Sequence, residues 1–237
     1  MQSLPQGFKA LVLGRSGAIG AALIGALRAD PRCGGVIGLS RQAGPSGEPP
    51  LDLIDEASIA AAAAWLEPHA PLQLVVIATG VLGLDGNSPE KRLVDLDPAH
   101  MSRMLAINAI GPALAIKHLH RLLPLHERAL LGVLSARVGS IGDNHKGGWY
   151  SYRASKAALN MLLRSAAVEL ARQRPLAVLA ALHPGTVAST LSAPFVAASA
   201  ATPPADAARN LLSVLDGLPA EGASGSFYAW DGLPIPW

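Results

Sequence analysis

Two tyrosines precede a lysine in GGWYSYRASKAALN, residues 147–160, and their spacing decides which of them can do chemistry with it. A helix advances about 100° per residue, so Tyr152 and Lys156, four apart, lie about 40° from eclipsed, whereas Tyr150, six apart, lies about 240° round the axis. Only Tyr152 faces the lysine. A free phenol ionises near pH ~10, too high for ready proton exchange at neutrality, and an ammonium a few ångströms away favours the phenolate. Tyr152 then becomes a usable general acid or base for the proton that accompanies carbonyl reduction or alcohol oxidation.

Tyrosine and lysine at helical spacing are more often a packed ring and a solvated cation, so the pair gains weight only from what positions it. The apolar run KALVL is followed by GRSGAIG, with Gly14, Gly17 and Gly20 three apart, and then by the helical pattern AALIGALRA. A glycine turn between strand and helix lets backbone amides approach a pyrophosphate, which the helix dipole also favours. The lysine and Ser/Thr of a triphosphate-binding loop are absent, so a dinucleotide is the expected ligand. The next apolar run ends GLSRQ, with Ser40 and Arg41 where an NAD site carries an acid. Arg41, joined by Arg15 in the glycine turn, suits a 2′-phosphate, and NADP(H) is expected over NAD(H).

The elements that must hold these groups follow from periodicity. Apolar runs at 9–13, 36–39, 72–78, 129–134, 176–182 and 226–230 alternate with helical patterns at 18–29, 56–66, 98–122, 151–173 and 205–216. Most runs are apolar throughout, as strands are when helices cover both faces of a parallel sheet. The expectation is one α/β domain over residues 1–237, a doubly wound parallel sheet of Rossmann type, with ligands beyond the carboxyl ends of the strands.

Composition narrows the classes. Hydrophobic residues make up 50% and charged residues 15%, far from disordered chains, and the net charge of +2 includes no basic block for nucleic acid. No apolar run has the length to span a bilayer, and MQSLPQGFKALVLG lacks the pattern of a secretory signal, so a cytoplasmic location is expected. The single cysteine, Cys33, excludes an internal disulfide framework. His118 and His120 lie on different helix faces and no further ligands are evident, so no metal is expected.

Together these residues resemble the short-chain dehydrogenase/reductase family along almost the whole chain, and within it a subgroup of C-factor-like proteins and small carbonyl reductases. GRSGAIG is similar to that family's GxxxGxG, with Ala18 at its middle glycine; the resemblance assigns Gly14, Arg15, Ser16, Ala18, Ile19 and Gly20 to the cofactor turn. LDLIDEAS implies Asp52 and Leu53 at the adenine, and IATG, an eroded NNAG, implies Ala78, Thr79 and Gly80. Asn108 in MLAINAIGP matches the helix asparagine that holds a water and links the lysine to a proton relay. HPGTVAS resembles PGxVxT, which implies Pro184, Gly185, Val187 and Ser189 around the nicotinamide. Tyr152 would be the acid/base, and Lys156 would lower its pKa and hold the nicotinamide ribose.

The family's catalytic serine is where this chain departs. Alignment of LSARVGSIG on Gly139 puts Ala136 at that position. Ser140 is the expected substitute; Ser135, whose side chain should point to the opposite side of the strand, and no serine at all stay open. Residues 190–204, rich in Ala, Ser and Pro, are expected to form a substrate lid. Asp143, Asn144, His145 and Trp149 either line the pocket or pack a loop on its own turns. The resemblance implies a homodimer or homotetramer acting on a small carbonyl compound or alcohol. The missing serine also motivates an alternative, a cofactor-binding signalling protein with little or no catalysis.

Overall fold

The computed structural model describes residues 1–84, 88–219 and 221–237. Six strands, β1 (Phe8–Leu13), β2 (Cys33–Leu39), β3 (Leu74–Ile77), β4 (Ala129–Leu134), β5 (Ala177–His183) and β6 (Ser226–Ala229), form one sheet in the order β2-β1-β3-β4-β5-β6. All five pairings are parallel. The helices are α1 (Ala18–Ala29), α2 (Glu56–Leu66), α3 (Pro98–Leu105), α4 (Gly111–Leu119), α5 (Tyr150–Leu170) and α6 (Pro204–Gly217).

The continuous apolar reading of the strands has the expected cause. Every residue of β3, LVVI, and of β4, ALLGVL, is buried, because side chains alternate between two separate cores. Leu11, Val75, Ile77 and Leu131 pack with Ile59, Leu119 and Leu159 from α2, α4 and α5. Val12, Leu74, Val76 and Leu130 pack on the other face with Leu23 and Leu211 from α1 and α6. The chain leaves β1 toward β2 on one side and returns to β3 on the other, so the crevice for a ligand opens at the carboxyl ends of β1 and β3.

Two departures from the periodic reading have a local cause. The pattern over 98–122 is not one helix: α3 and α4 are separated by a π-helical turn, Ala106–Ile110, which widens the backbone at Asn108. The run at 72–78 is a strand only over Leu74–Ile77, since the Leu72 N–H is spent on Leu122 O at 2.8 Å, off the sheet. No helix among the described residues is long and apolar enough to cross a membrane.

Candidate active site

The glycine turn lies at the crevice. Gly14 and Arg15 donate their N–H groups to Leu39 O at 2.8 and 3.1 Å, which ties the turn to the end of β2. Gly14 has φ +94°, and a Cβ there would stand 2.8 Å from Ala78 O at the end of β3, so only glycine permits this approach. Helix α1 begins at Ala18 with no side-chain cap, leaving first-turn amides, beside Ser16 and Ile19, available to an anion. The Thr79 hydroxyl is buried without a partner among the described residues. An uncapped helix start and an orphaned hydroxyl at the switch point fit a dinucleotide.

At the end of β2 the cations divide their work. Arg15 donates from Nε to Ser40 Oγ at 3.1 Å and from Nη2 to Gln42 O and Ala43 O at 3.0 and 2.7 Å, fastening the loop. Arg41 is exposed and has no partner among the described residues. Asp52 accepts from the Ile54 N–H at 3.2 Å, and Leu53 is buried where Gly111 lets α4 come close.

Two of the residues singled out for chemistry, Lys156 and Asn108, converge at Gly80. A Cβ there would lie 3.1 Å from Lys156 Nζ and 3.4 Å from Asn108 Oδ1. The Lys156 ammonium donates to Leu134 O at 2.9 Å, at the end of β4. Asn108 sits in the π turn, fully buried; it accepts from Val81 N–H at 2.9 Å and donates to Val81 O and Ser155 Oγ at 2.8 and 3.1 Å. Ser155 Oγ in turn donates to Tyr152 O at 2.8 Å. A chain of polar contacts therefore runs from Asn108 to the backbone of Tyr152.

The ionisation of the pair departs from the expectation. Burial pushes the Tyr152 phenol up to about 12 and the Lys156 ammonium down to about 8. Desolvation disfavours each charged form, and it dominates here because Lys156 spends its ammonium on a backbone carbonyl rather than on the phenol. The phenol is thus protonated at neutral pH.

The start of α5 depends on a residue that sequence reasoning missed. Glu90, from a distant loop, accepts from Ser151 N–H at 3.2 Å and from the Ser151 hydroxyl. Its backbone carbonyl accepts from Trp149 N–H at 2.5 Å, where Trp149 is left-handed, φ 54°. Burial alone would raise the Glu90 carboxyl, but the hydrogen bonds it accepts, from Ser151 foremost, together with the His100 charge hold it below its usual value. The only sequence signal is an α5 start without a local cap.

Beside Tyr152 opens a cavity of about 610 Å³ that runs from Ile19 and the Pro184–Gly185–Val187 segment to Trp149 and Phe195. Its walls bear on the serine question. Ser140 is buried, accepts from Asp143 N–H at 3.1 Å and is absent from the lining; its hydroxyl braces a turn. Ser135 lines the cavity but donates to Asn160 Oδ1 at 2.7 Å, toward α5. Ser189 is hydrogen-bonded with Ser192 at 3.2 Å and donates to Val187 O at 3.3 Å. Asp143, His145 and Trp149 do line the cavity; Asn144 instead accepts from Gly147 N–H at 3.1 Å. The described residues hold no cluster of three His, Cys, Asp or Glu able to bind a metal.

A parallel Rossmann-type sheet with a glycine turn at its switch point, and a tyrosine and lysine one helical turn apart beside it, define a nucleotide-linked oxidoreductase. A family model described as enoyl-(acyl carrier protein) reductase, one of the short-chain dehydrogenase models, matches residues 18–209. The chain belongs to the short-chain dehydrogenase/reductase family. It is 37% identical over 196 residues to the 1-hydroxy-2-glutathionyl-2-methyl-3-butene dehydrogenase of Rhodococcus sp. (strain AD45), covering 82% of each chain. To the C-signal of Myxococcus xanthus it is 38% identical over 170 residues, 70% of this chain and 93% of that one. An NADPH-bound carbonyl reductase from chicken fatty liver superposes with a TM-score of 0.81 at 25% identity, covering 99% of this chain and 100% of that one.

Proposed function

We propose that the chain is an NADP(H)-dependent oxidoreductase that interconverts a carbonyl compound and an alcohol, with Tyr152 as the acid/base. The observation that carries the reading is Lys156 and Asn108 meeting at Gly80 while Tyr152, one helical turn before Lys156, lines a cavity of substrate size. When bound, the nicotinamide cofactor supplies or accepts the hydride. The amides of the Gly14–Gly20 turn hold the pyrophosphate, Asp52 and Leu53 border the adenine, and Arg41 pairs with the 2′-phosphate. Pro184, Gly185 and Val187 flank the nicotinamide, and Lys156 binds its ribose. Tyr152 passes its proton to the substrate oxygen during reduction and takes it back during oxidation.

Residues 190–204 act as a lid, anchored by Phe195 against the Trp149 ring at 5.4 Å between centroids. The similarity to a dehydrogenase and to an NADPH-bound reductase supports both the reaction class and the cofactor. A homo-oligomer forms through the outer faces of α4 and α5. The C-signal similarity and the alanine at 136 favour a second reading, a signalling protein that binds the cofactor without turnover.

A panel of aldehydes, ketones and quinones with NADPH, followed by loss of nicotinamide absorbance, separates the two. The expected result is turnover by the native protein and loss of at least about 1,000-fold in Tyr152→Phe, the upper range for a general acid. Tight NADPH binding with no turnover of any carbonyl would leave the signalling reading standing.

A further inference from the structure

Several polar side chains in the wall of the cavity beside Tyr152 have their hydrogen bonds already spent. Ala136 has no polar side chain, Ser135 donates to Asn160, and Ser189 and Ser192 are bound to each other and to Val187 O. Arg137 is paired with Asp143 at 2.9 Å. Among the side chains that line this wall, His183, the last residue of β5, has a buried polar atom, Nδ1, with no partner among the described residues.

The strand register explains its position. Leu134 pairs with Leu182, and Ser135 N–H donates to Leu182 O at 2.8 Å, so His183 stands beside Ser135 at the end of the sheet, where both line the same cavity as Ala136. Its ring state follows from burial. An orphaned N–H is rarer and costlier than an orphaned acceptor, so the buried Nδ1 carries the lone pair and the proton sits on Nε2. Burial, aided by the Arg137 cation and opposed by Asp231, pushes the imidazole down to about 4, so it stays neutral across the physiological range.

We propose that the Nε2–H of His183 donates the hydrogen bond that holds and polarises the substrate carbonyl oxygen, the contact that the alanine at 136 cannot make. The inference rests on the oxidoreductase reading. In it no bond to His183 forms or breaks: the oxygen takes its proton from Tyr152, the carbonyl carbon takes the hydride, and the imidazole returns unchanged. Because charge develops on the oxygen in the transition state, the contact acts on kcat more than on KM.

Four proteins test it with NADPH and the best carbonyl of the panel: native, His183→Ala, His183→Gln, and His183→Ala combined with Ala136→Ser. His183→Ala is expected to lose about 100-fold in kcat, the range for a lost oxyanion donor, with KM changed only a few-fold. Glutamine, which keeps an N–H, and serine restored at 136 are each expected to recover about ten-fold or more. NADPH binding by fluorescence shows that each variant is folded. His183→Ala within about three-fold of native kcat, or no recovery by either donor, overturns the proposal. If the native protein turns over no carbonyl, the oxidoreductase reading fails separately, and the imidazole is then read directly. In ¹⁵N-histidine spectra with NADP⁺ and cyclohexanone, a shifted Nε2–H resonance of His183 supports the contact, and an unchanged one overturns it.

Discussion

Lys156 is the residue whose burial has the clearest thermodynamic consequence. It is 3% exposed, and its folded pKa of about 8 lies below the ordinary 10.5. Between those values the unfolded chain binds more protons than the native one, so native stability rises with pH across that window. The gain from pH 8 to pH 10 is about 2 kcal/mol for this group alone. Urea midpoints of native protein and Lys156→Met at the two pH values isolate it, and an equal difference at both would contradict the burial argument. Arg41 has a second residue-scale consequence: with Arg15 engaged by Ser40, Gln42 and Ala43, it is a cation at the end of β2 with no partner among the described residues. Arg41→Ala is expected to weaken NADPH binding about ten-fold or more, a lost charge-assisted contact, and to leave NADH within about two-fold; equal losses in fluorescence titrations would remove the 2′-phosphate argument. At this scale the sequence singled out Tyr152, Lys156 and Asn108, because helical spacing or a local motif marks them. It did not expose the fate of Ser140, whose hydroxyl turns to Asp143 N–H, or the isolation of His183 Nδ1. Having a partner or lacking one is decided by chain segments far apart in sequence.

Among the elements, strands were the most legible, since a run buried on both faces must be apolar throughout. The π turn at Ala106–Ile110 was hidden for the opposite reason: a period of 3.6 continues across one wide turn with little change in pattern. That turn delivers Asn108 to Val81, and wide turns of this kind recur at functional sites. The start of α5 was equally hidden, because its cap comes from Glu90 rather than from a neighbouring Ser, Thr, Asp or Asn. A carboxylate at a helix N-terminus is favoured by both the free amides and the dipole. Glu90→Ala leaves the Ser151 N–H and hydroxyl without their acceptor, and it is expected to cost about 1–3 kcal/mol. A matching loss in kcat is expected, because the first turn of α5 carries Tyr152. Thermal melts and NADPH turnover measure the two effects; an unchanged melting temperature would mean that the cap contributes nothing to the placement of the tyrosine.

At the scale of the molecule, strand order and the crevice follow from the βα alternation, whereas self-association has to be argued from the surface. The inner face of α5 is taken up by Leu159, Leu163, Ala167 and Leu170. Its outer face still presents Met161 at 66% and Val168 at 49% exposure, seven residues apart and so on one side of the helix. Leu162 and, on the neighbouring π turn, Ile110 extend the apolar surface, and α4 lies alongside α5. Two copies joined through these helices by a two-fold axis would bring like side chains together. A stable contact of that kind buries about 800 Å² on each partner. One charge per subunit near the axis, Met161→Glu, would then meet its own image across the interface and oppose association. The native protein is expected to elute at twice the chain mass or more in light-scattering chromatography, and Met161→Glu at the mass of one chain with NADPH binding retained. Since Lys156 and Tyr152 lie on the first turns of the same helix, loss of the interface should also lower the melting temperature of the catalytic end. A monomeric native protein, or a Met161→Glu variant of undiminished mass, would exclude this face.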